Sequence, residues 1–233
     1  MIYAAITGDI IAFTSLTIEG RKELERQIPR LFADLRTELG AYVRQSQGDY
    51  LECVLKDPSG ALRAALLIKS FFKAVSLKKP EHYEPSNRSE SFLRHRIRLA
   101  ISLGPLSRFD EEKGIVDGEA IYEAGRSLSA HSTYDKSRIV IKESMQLLHH
   151  DIKRFGAFDP LLALLDVLLS QATSKQCAVL YYRLLGKNED DIAAKLRVSQ
   201  PVVNRQSKSV GWHAIERSLQ YFEAQTRKTT IRK

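Results

Sequence analysis

Asp9 and Asp49 are the residues of this 233-residue chain whose type and placement most directly invite chemistry. Asp9 follows a short apolar run over residues 2–7 that reads as a buried strand broken by Gly8. Asp49 lies in the turn Gln47-Gly48-Asp49 between two strand-like runs, Ala41–Gln45 and Tyr50–Leu55, which together predict a hairpin. If that hairpin lies beside the first strand, the two carboxylates meet at one sheet edge. Paired carboxylates with a backbone carbonyl form a hard-oxygen site for Mg²⁺, an ion that is usually shared with substrate phosphates. Two such ions can clamp the attacking and leaving oxygens of phosphoryl or nucleotidyl transfer. The plainer alternative is two unrelated turn formers, a common use of aspartate.

A second constellation lies near the C-terminus. Ile192-Ala193, Val198 and Val203 recur at the spacing that lets two helices of a helix-turn-helix cross closely, with the small Ala193 at the crossing. Glu189-Asp190-Asp191 places acids at the start of the first of these helices, where the macrodipole favours them. Ser199 reads as an N-cap, with Pro201 in the first turn of a helix that carries Val202, Val203, Val210, Trp212 and Ile215 on its apolar side. Ser199, Gln200, Asn204, Arg205 and Lys208 would then project outward. Gln200 and Asn204 suit base edges, and the other three suit phosphates or guanine. The alternative is a plain three-helix packing module.

The elements that must position these groups follow from periodicity. A helix is expected over about Glu19–Leu39 and another from Pro58-Ser59-Gly60 to Val75. Residues 78–91 read as a polar loop, Arg94–Leu103 as a strand ended by Gly104-Pro105, Ala120–His131 as a helix and Arg138–Lys142 as a strand, with extra strands around 106–116. This β-α-β-β-α-β-like order predicts an α+β sandwich of the ferredoxin-like or palm type over residues 1–155. An all-α helix-turn-helix domain is expected over 156–233, divided from the first near Phe155–Pro160. Residues 1–135 carry equal numbers of acids and bases, so the whole net charge of +8 falls in residues 136–233. That asymmetry suits a chain of which one part meets a polyanion. The basic tail Arg227, Lys228, Arg232 and Lys233 either adds phosphate contacts or frays in solvent. No run of about 18 apolar residues marks a membrane span, and no signal peptide is evident. Cys53 and Cys177 sit singly in apolar patterns, as reduced core residues of a cytoplasmic protein would. The adjacent His149-His150-Asp151 is not expected to bind metal, because neighbouring helical side chains point apart.

Four pieces of the first 142 residues also carry a resemblance. Gly8-Asp9-Ile10-Ile11-Ala12-Phe13-Thr14-Ser15, Gly48-Asp49, Arg98–Pro105 and Gly118–Arg126 are similar, in order, to motifs of class III nucleotidyl cyclase domains. The resemblance implies metal binding by Asp9 and Asp49 with the Ile10 carbonyl, and a catalytic, phosphate-stabilising role for Arg126. Its cofactor would be Mg²⁺ or Mn²⁺ with a nucleotide, and it implies a homodimer in which Arg126 approaches the partner's aspartate. Three positions depart from the family. Tyr122 stands where it has a ribose-orienting asparagine, Gln45 where it selects the base, and Ile115 where an adenylyl cyclase has aspartate. Efficient cyclisation is therefore not expected. The C-terminal stretch resembles the region-4-like helix-turn-helix of sigma factors and response regulators, apart from Arg197 in the turn, where glycine is usual. The whole chain also looks like the SatD-like family of small bacterial proteins. The expectation is a regulator that binds double-stranded DNA, with a degenerate cyclase-like domain that binds nucleotide and dimerises. An active cyclase or nucleotidyltransferase with an assembly domain, and a non-catalytic structural adaptor, are the alternatives.

Overall fold

The computed structural model describes residues 1–13, 16–46, 48–76, 92–130, 141 and 143–230. Its central sheet has five strands in the order β2-β3-β1-β4-β7. These are β1 (Tyr3–Ile10), β2 (Tyr42–Ser46), β3 (Tyr50–Leu55), β4 (Ile97–Gly104) and β7 (Met145–Leu148), with a separate hairpin of β5 (Arg108–Asp110) and β6 (Ile115–Asp117). The first four sheet strands are antiparallel to their neighbours, and β7 runs parallel to β4. Helices α1 (Ile18–Leu39), α2 (Ala61–Ala74) and α3 (Glu119–Ala130) connect them. With α1 after β1 and α2 after β3, the order of the first four strands is that of a split β-α-β, ferredoxin-like arrangement. Helices α4 (Ile152–Phe155), α5 (Phe158–Gln171), α6 (Ser174–Leu184), α7 (Glu189–Leu196), α8 (Gln200–Ser209) and α9 (Trp212–Thr230) follow. No described helix is long and apolar enough to cross a membrane.

Local chemistry explains most boundaries. Thr17 caps α1 by accepting from the Gly20 N–H at 3.0 Å, and Gly40 ends it at φ 58°, a conformation that costs glycine little. Leu24, Ile28, Leu31 and Leu35 form its buried stripe. Gly8 does not end β1, contrary to the expectation from sequence. It sits inside the strand, where a Cβ would lie 3.0 Å from Leu99 and 3.1 Å from Ile97, so its bareness admits the β4 side chains. Arg94 and His95 lie not in β4 but in a helical turn at residues 92–95, and Arg96 follows at φ 63°. Trp212 and Ile215 belong to α9 rather than to the helix before it, because Gly211 at φ 74° breaks the chain between them. The expected strand Arg138–Lys142 and loop 78–91 lie outside the described residues, apart from Ile141. The described fifth strand is β7.

Alternation assigns the two faces of the sheet. Ala4, Ile6 and Ile10 enter the main core with the stripes of α1 and α2. Ala5 and Ala100 point the other way, where their small side chains let α3 approach through Ala120, Ile121 and Ala124. The main core does not stop at residue 155. It runs on through Phe158, Leu165, Cys177, Leu180, Leu184, Ile215 and Phe222. Phe71 of α2 meets Tyr181 of α6 with ring centroids 5.6 Å apart. Cys53 and Cys177 are both buried and unpaired, and burial pushes their thiols up to about 12 and about 11.

One polar network is sealed within this core. Lys69 of α2, fully buried, pairs with Asp166 of α5 at 2.8 Å. Asp166 also accepts the backbone N–H and the hydroxyl of Ser144, each at 2.6 Å. The single hydroxyl proton of Ser144 is thereby used, so His95 Nδ1, 3.2 Å from the same oxygen, must be the donor. Burial, with the Lys69 charge nearby, lowers His95 to about 4, against an ordinary 6.5. Between pH 6.5 and 4 the unfolded chain therefore holds a proton at this site that the folded chain refuses. Stability should fall by about 1 kcal/mol for each unit of acidification across that window. Urea midpoints from pH 7 to pH 4.5 check this, and His95→Asn should flatten that part of the profile. An unchanged slope would assign the effect elsewhere.

Candidate functional site

Strand pairing brings the two aspartates together. Asp9 stands opposite Tyr50 in the β1–β3 register, and the Ile10 N–H donates to the Asp49 carbonyl at 3.0 Å. Both aspartates are half-buried. Burial, and then the neighbouring charge of Asp9, raise the Asp49 carboxyl above its ordinary value. Two carboxylates sharing a partly desolvated edge repel each other, and a cation between them relieves that repulsion. The donor set is all oxygen and suits a hard divalent ion.

Arg98 is the member of this site that the motifs did not single out. It lies opposite Asp9 in the β1–β4 register, is buried, and forms an ion pair with the Asp9 carboxylate. The stretch Arg94–Leu103 contains three alternating arginines, and only the pairing register distinguishes this one. Tyr50, half-buried beside Thr7, supports α3 from below. A Cβ on Gly125 would lie 3.2 Å from its hydroxyl. Ile10 closes β1 opposite Ile97, its side chain buried in the core.

The remaining motif positions do local work. Arg126 is exposed on α3, and among the described residues no hydrogen bond or ion pair joins it to Asp9 or Asp49. The Tyr122 hydroxyl donates to Asp117, and the Gln45 amide donates to the Gly48 carbonyl at the end of the hairpin. Ile115 is a half-buried residue of β6.

A group that could hold a metal lies elsewhere. Glu119 and Glu123, one turn apart on α3, approach His150 Nε2 at 3.5 Å and 3.3 Å, and Ser102 donates to the other Glu123 oxygen at 3.0 Å. Neighbour spacing around His150 could not show this, because both carboxylates come from a different element.

In the basic half, Ile192 and Ala193 of α7 pack on Val203 of α8 and Val179 of α6. Arg197 ends α7 at φ 54°, and the Val198 N–H bonds the Ala193 carbonyl at 3.0 Å, so the tight turn forms without glycine. Ser199 occupies the N-cap position of α8 but makes no side-chain cap bond. Pro201 has no N–H to offer, and the Val202 N–H already bonds the Ser199 carbonyl at 3.0 Å. Arg205 and Lys208 are exposed on α8, and among the described residues neither has an ion pair. Gln200 and Asn204 are engaged: both donate their amide N–H groups to Glu189, Asn204 at 3.1 and 3.3 Å. Of the basic tail, Arg232 and Lys233 lie outside the described residues.

No protein-family model matches the chain, and no curated protein does so either. Among solved structures it is similar to a bacterial light-regulated adenylyl cyclase. The TM-score is 0.38 and the identity 16%, over 62% of this chain and 73% of that one. A likeness of this degree says nothing about chemistry.

Proposed function

We propose that this protein is a DNA-binding regulator whose α7–α8 pair is a helix-turn-helix, with α8 as the recognition helix. One observation carries the reading. Val203 fixes one face of α8 on Ile192 and Ala193, and the exposed part of the helix carries Arg205 and Lys208, which among the described residues have no ion pair. The charge distribution supports it, since the excess of bases falls wholly in the half that holds these helices. A symmetric dimer would present two such units to a two-fold site. Fluorescence anisotropy of the full chain on random and selected duplexes tests the proposal. Binding at 50 mM salt that weakens on Arg205→Ala supports it, and a folded protein that binds no duplex overturns it.

The convergence of Asp9, Asp49 and Arg98 favours a second activity, the binding of a nucleotide with Mg²⁺ or Mn²⁺. Asp9, Asp49 and the Ile10 carbonyl would hold the ion, which supplies charge neutralisation for a phosphate. Arg98 offers a guanidinium beside it. The commitments of Tyr122 and Gln45 to local bonds argue for binding rather than turnover. Calorimetry with Mg²⁺ and ATP or GTP should show saturable heat that is lost in Asp49→Asn, with cyclic product formed far below an ordinary turnover of about 1 s⁻¹. Absence of heat with either nucleotide sinks the site, and turnover near that value sinks the non-catalytic reading.

A further inference from the structure

Glu119 and Glu123 stand one turn apart on α3, a spacing at which like charges oppose each other. Glu119 opens the helix, where an acid is commonplace, but Glu123 lies beyond the first turn and draws little from the helix end. Both turn toward one imidazole from a different part of the chain. His150 lies just past β7, and its Nε2 is 3.5 Å from Glu119 Oε1 and 3.3 Å from Glu123 Oε1. The three ligand atoms all lie within 4.8 Å of one another. His149 takes no part, since its ring packs near Phe155 with centroids 5.5 Å apart.

These separations discriminate between two ways of neutralising the acids. A protonated imidazole would draw a carboxylate oxygen to about 2.7–2.9 Å. A tetrahedral ion with bonds of about 2.0–2.2 Å instead holds its ligand atoms about 3.3–3.6 Å apart. The two distances from His150 fall in the second range. Glu123 is also held from behind. Ser102 of β4, fully buried, donates to Glu123 Oε2 at 3.0 Å and leaves Oε1 to face His150. A donor that orients a carboxylate by its other oxygen is the kind of support metal ligands receive.

We propose that Glu119, Glu123 and His150 form a zinc site that ties α3 to the end of β7. Imidazole in the donor set favours a transition ion over Mg²⁺, and two carboxylates beside it suit Zn²⁺. Three protein ligands leave one position of the tetrahedron to water. The His150 and Glu119 side chains are 63% and 49% exposed, so the ion exchanges with solvent. The site differs in kind from the edge at Asp9 and Asp49, which offers oxygen alone. Its ligands come from segments that only folding brings together, so bound Zn²⁺ stabilises the folded chain.

Calorimetry of the full chain with Zn²⁺, in excess Mg²⁺ to occupy any all-oxygen site, tests this. One ion per chain should bind, and Zn²⁺ should raise the melting temperature. His150→Gln and Glu123→Gln should each weaken binding by at least about tenfold, and Ser102→Ala by about tenfold, the low end for a supporting group. Because His150 is exposed, its substitution removes a ligand without disturbing the core. Co²⁺ in place of Zn²⁺ should give the visible absorption of a tetrahedral ion without the near-ultraviolet band of thiolate ligation. Absence of Zn²⁺ binding, binding that survives His150→Gln, or a thiolate band from Cys53 or Cys177 overturns the proposal.

Discussion

Asp166→Ala should destabilise the fold by about 3–5 kcal/mol, the range for removing one partner of a buried ion pair. Lys69 and Asp166 have side chains 0% and 6% exposed, so the ammonium left behind is sealed from water and, among the described residues, has no other carboxylate to pair with. Ser144 would lose the acceptor for its hydroxyl and its backbone N–H in the same step. Against a total stability of about 5–15 kcal/mol such a loss is a large fraction of the whole. Joint replacement, Lys69→Met with Asp166→Leu, should cost far less, because no charge is then stranded in the core. Urea denaturation of the single and double variants decides the matter. A single-variant cost under about 1 kcal/mol would mean that water reaches the pair.

The second large effect concerns salt. Arg197, Arg205 and Lys208 are exposed on or beside α8. A dimer presenting both units would make on the order of six phosphate contacts, and its affinity should fall about 10³-fold between 50 and 200 mM salt. Arg205→Ala with Lys208→Ala removes about four of those contacts and should make the log–log slope shallower by about 3 to 4. Titrations across that salt range measure both slopes. A slope that does not respond to the double substitution would move the phosphate-binding surface away from α8.

Legibility in the sequence varied with the range of the interaction. The stripe of α1 and the hairpin around Gly48-Asp49 are local patterns, and the strands beside them are long enough to show their type. β7 is only Met-Gln-Leu-Leu, too short for alternation to declare itself, and its place beside β4 is set after a separate helix and hairpin have intervened. Lys69 and Lys73 stand within an otherwise apolar helix, and nothing local to them marks them as buried. Their burial follows from groups about a hundred residues away, Asp166 for one and the Ser170 carbonyl, 2.8 Å from Lys73, for the other. The convergence of Asp9 with Asp49 could be posed as a condition on strand order, which the sheet meets. Arg98 could not be singled out without the register. Glu189 was visible only as a helix-start acid, because its tie to Gln200 and Asn204 depends on how α7 and α8 cross.

The unbroken core between α2 and α6 bears on how the protein can be taken apart. A fragment beginning near residue 156 would carry Cys177, Leu180, Tyr181 and Leu184 without the helix they rest on, and would expose a greasy side where the intact chain has none. Such a piece should aggregate or melt. A failed gel shift with it would then report lost folding rather than lost affinity. The C-terminal helices are no cassette to be grafted onto another protein. Any chimera must carry α2, and with α2 the sheet that holds the aspartates.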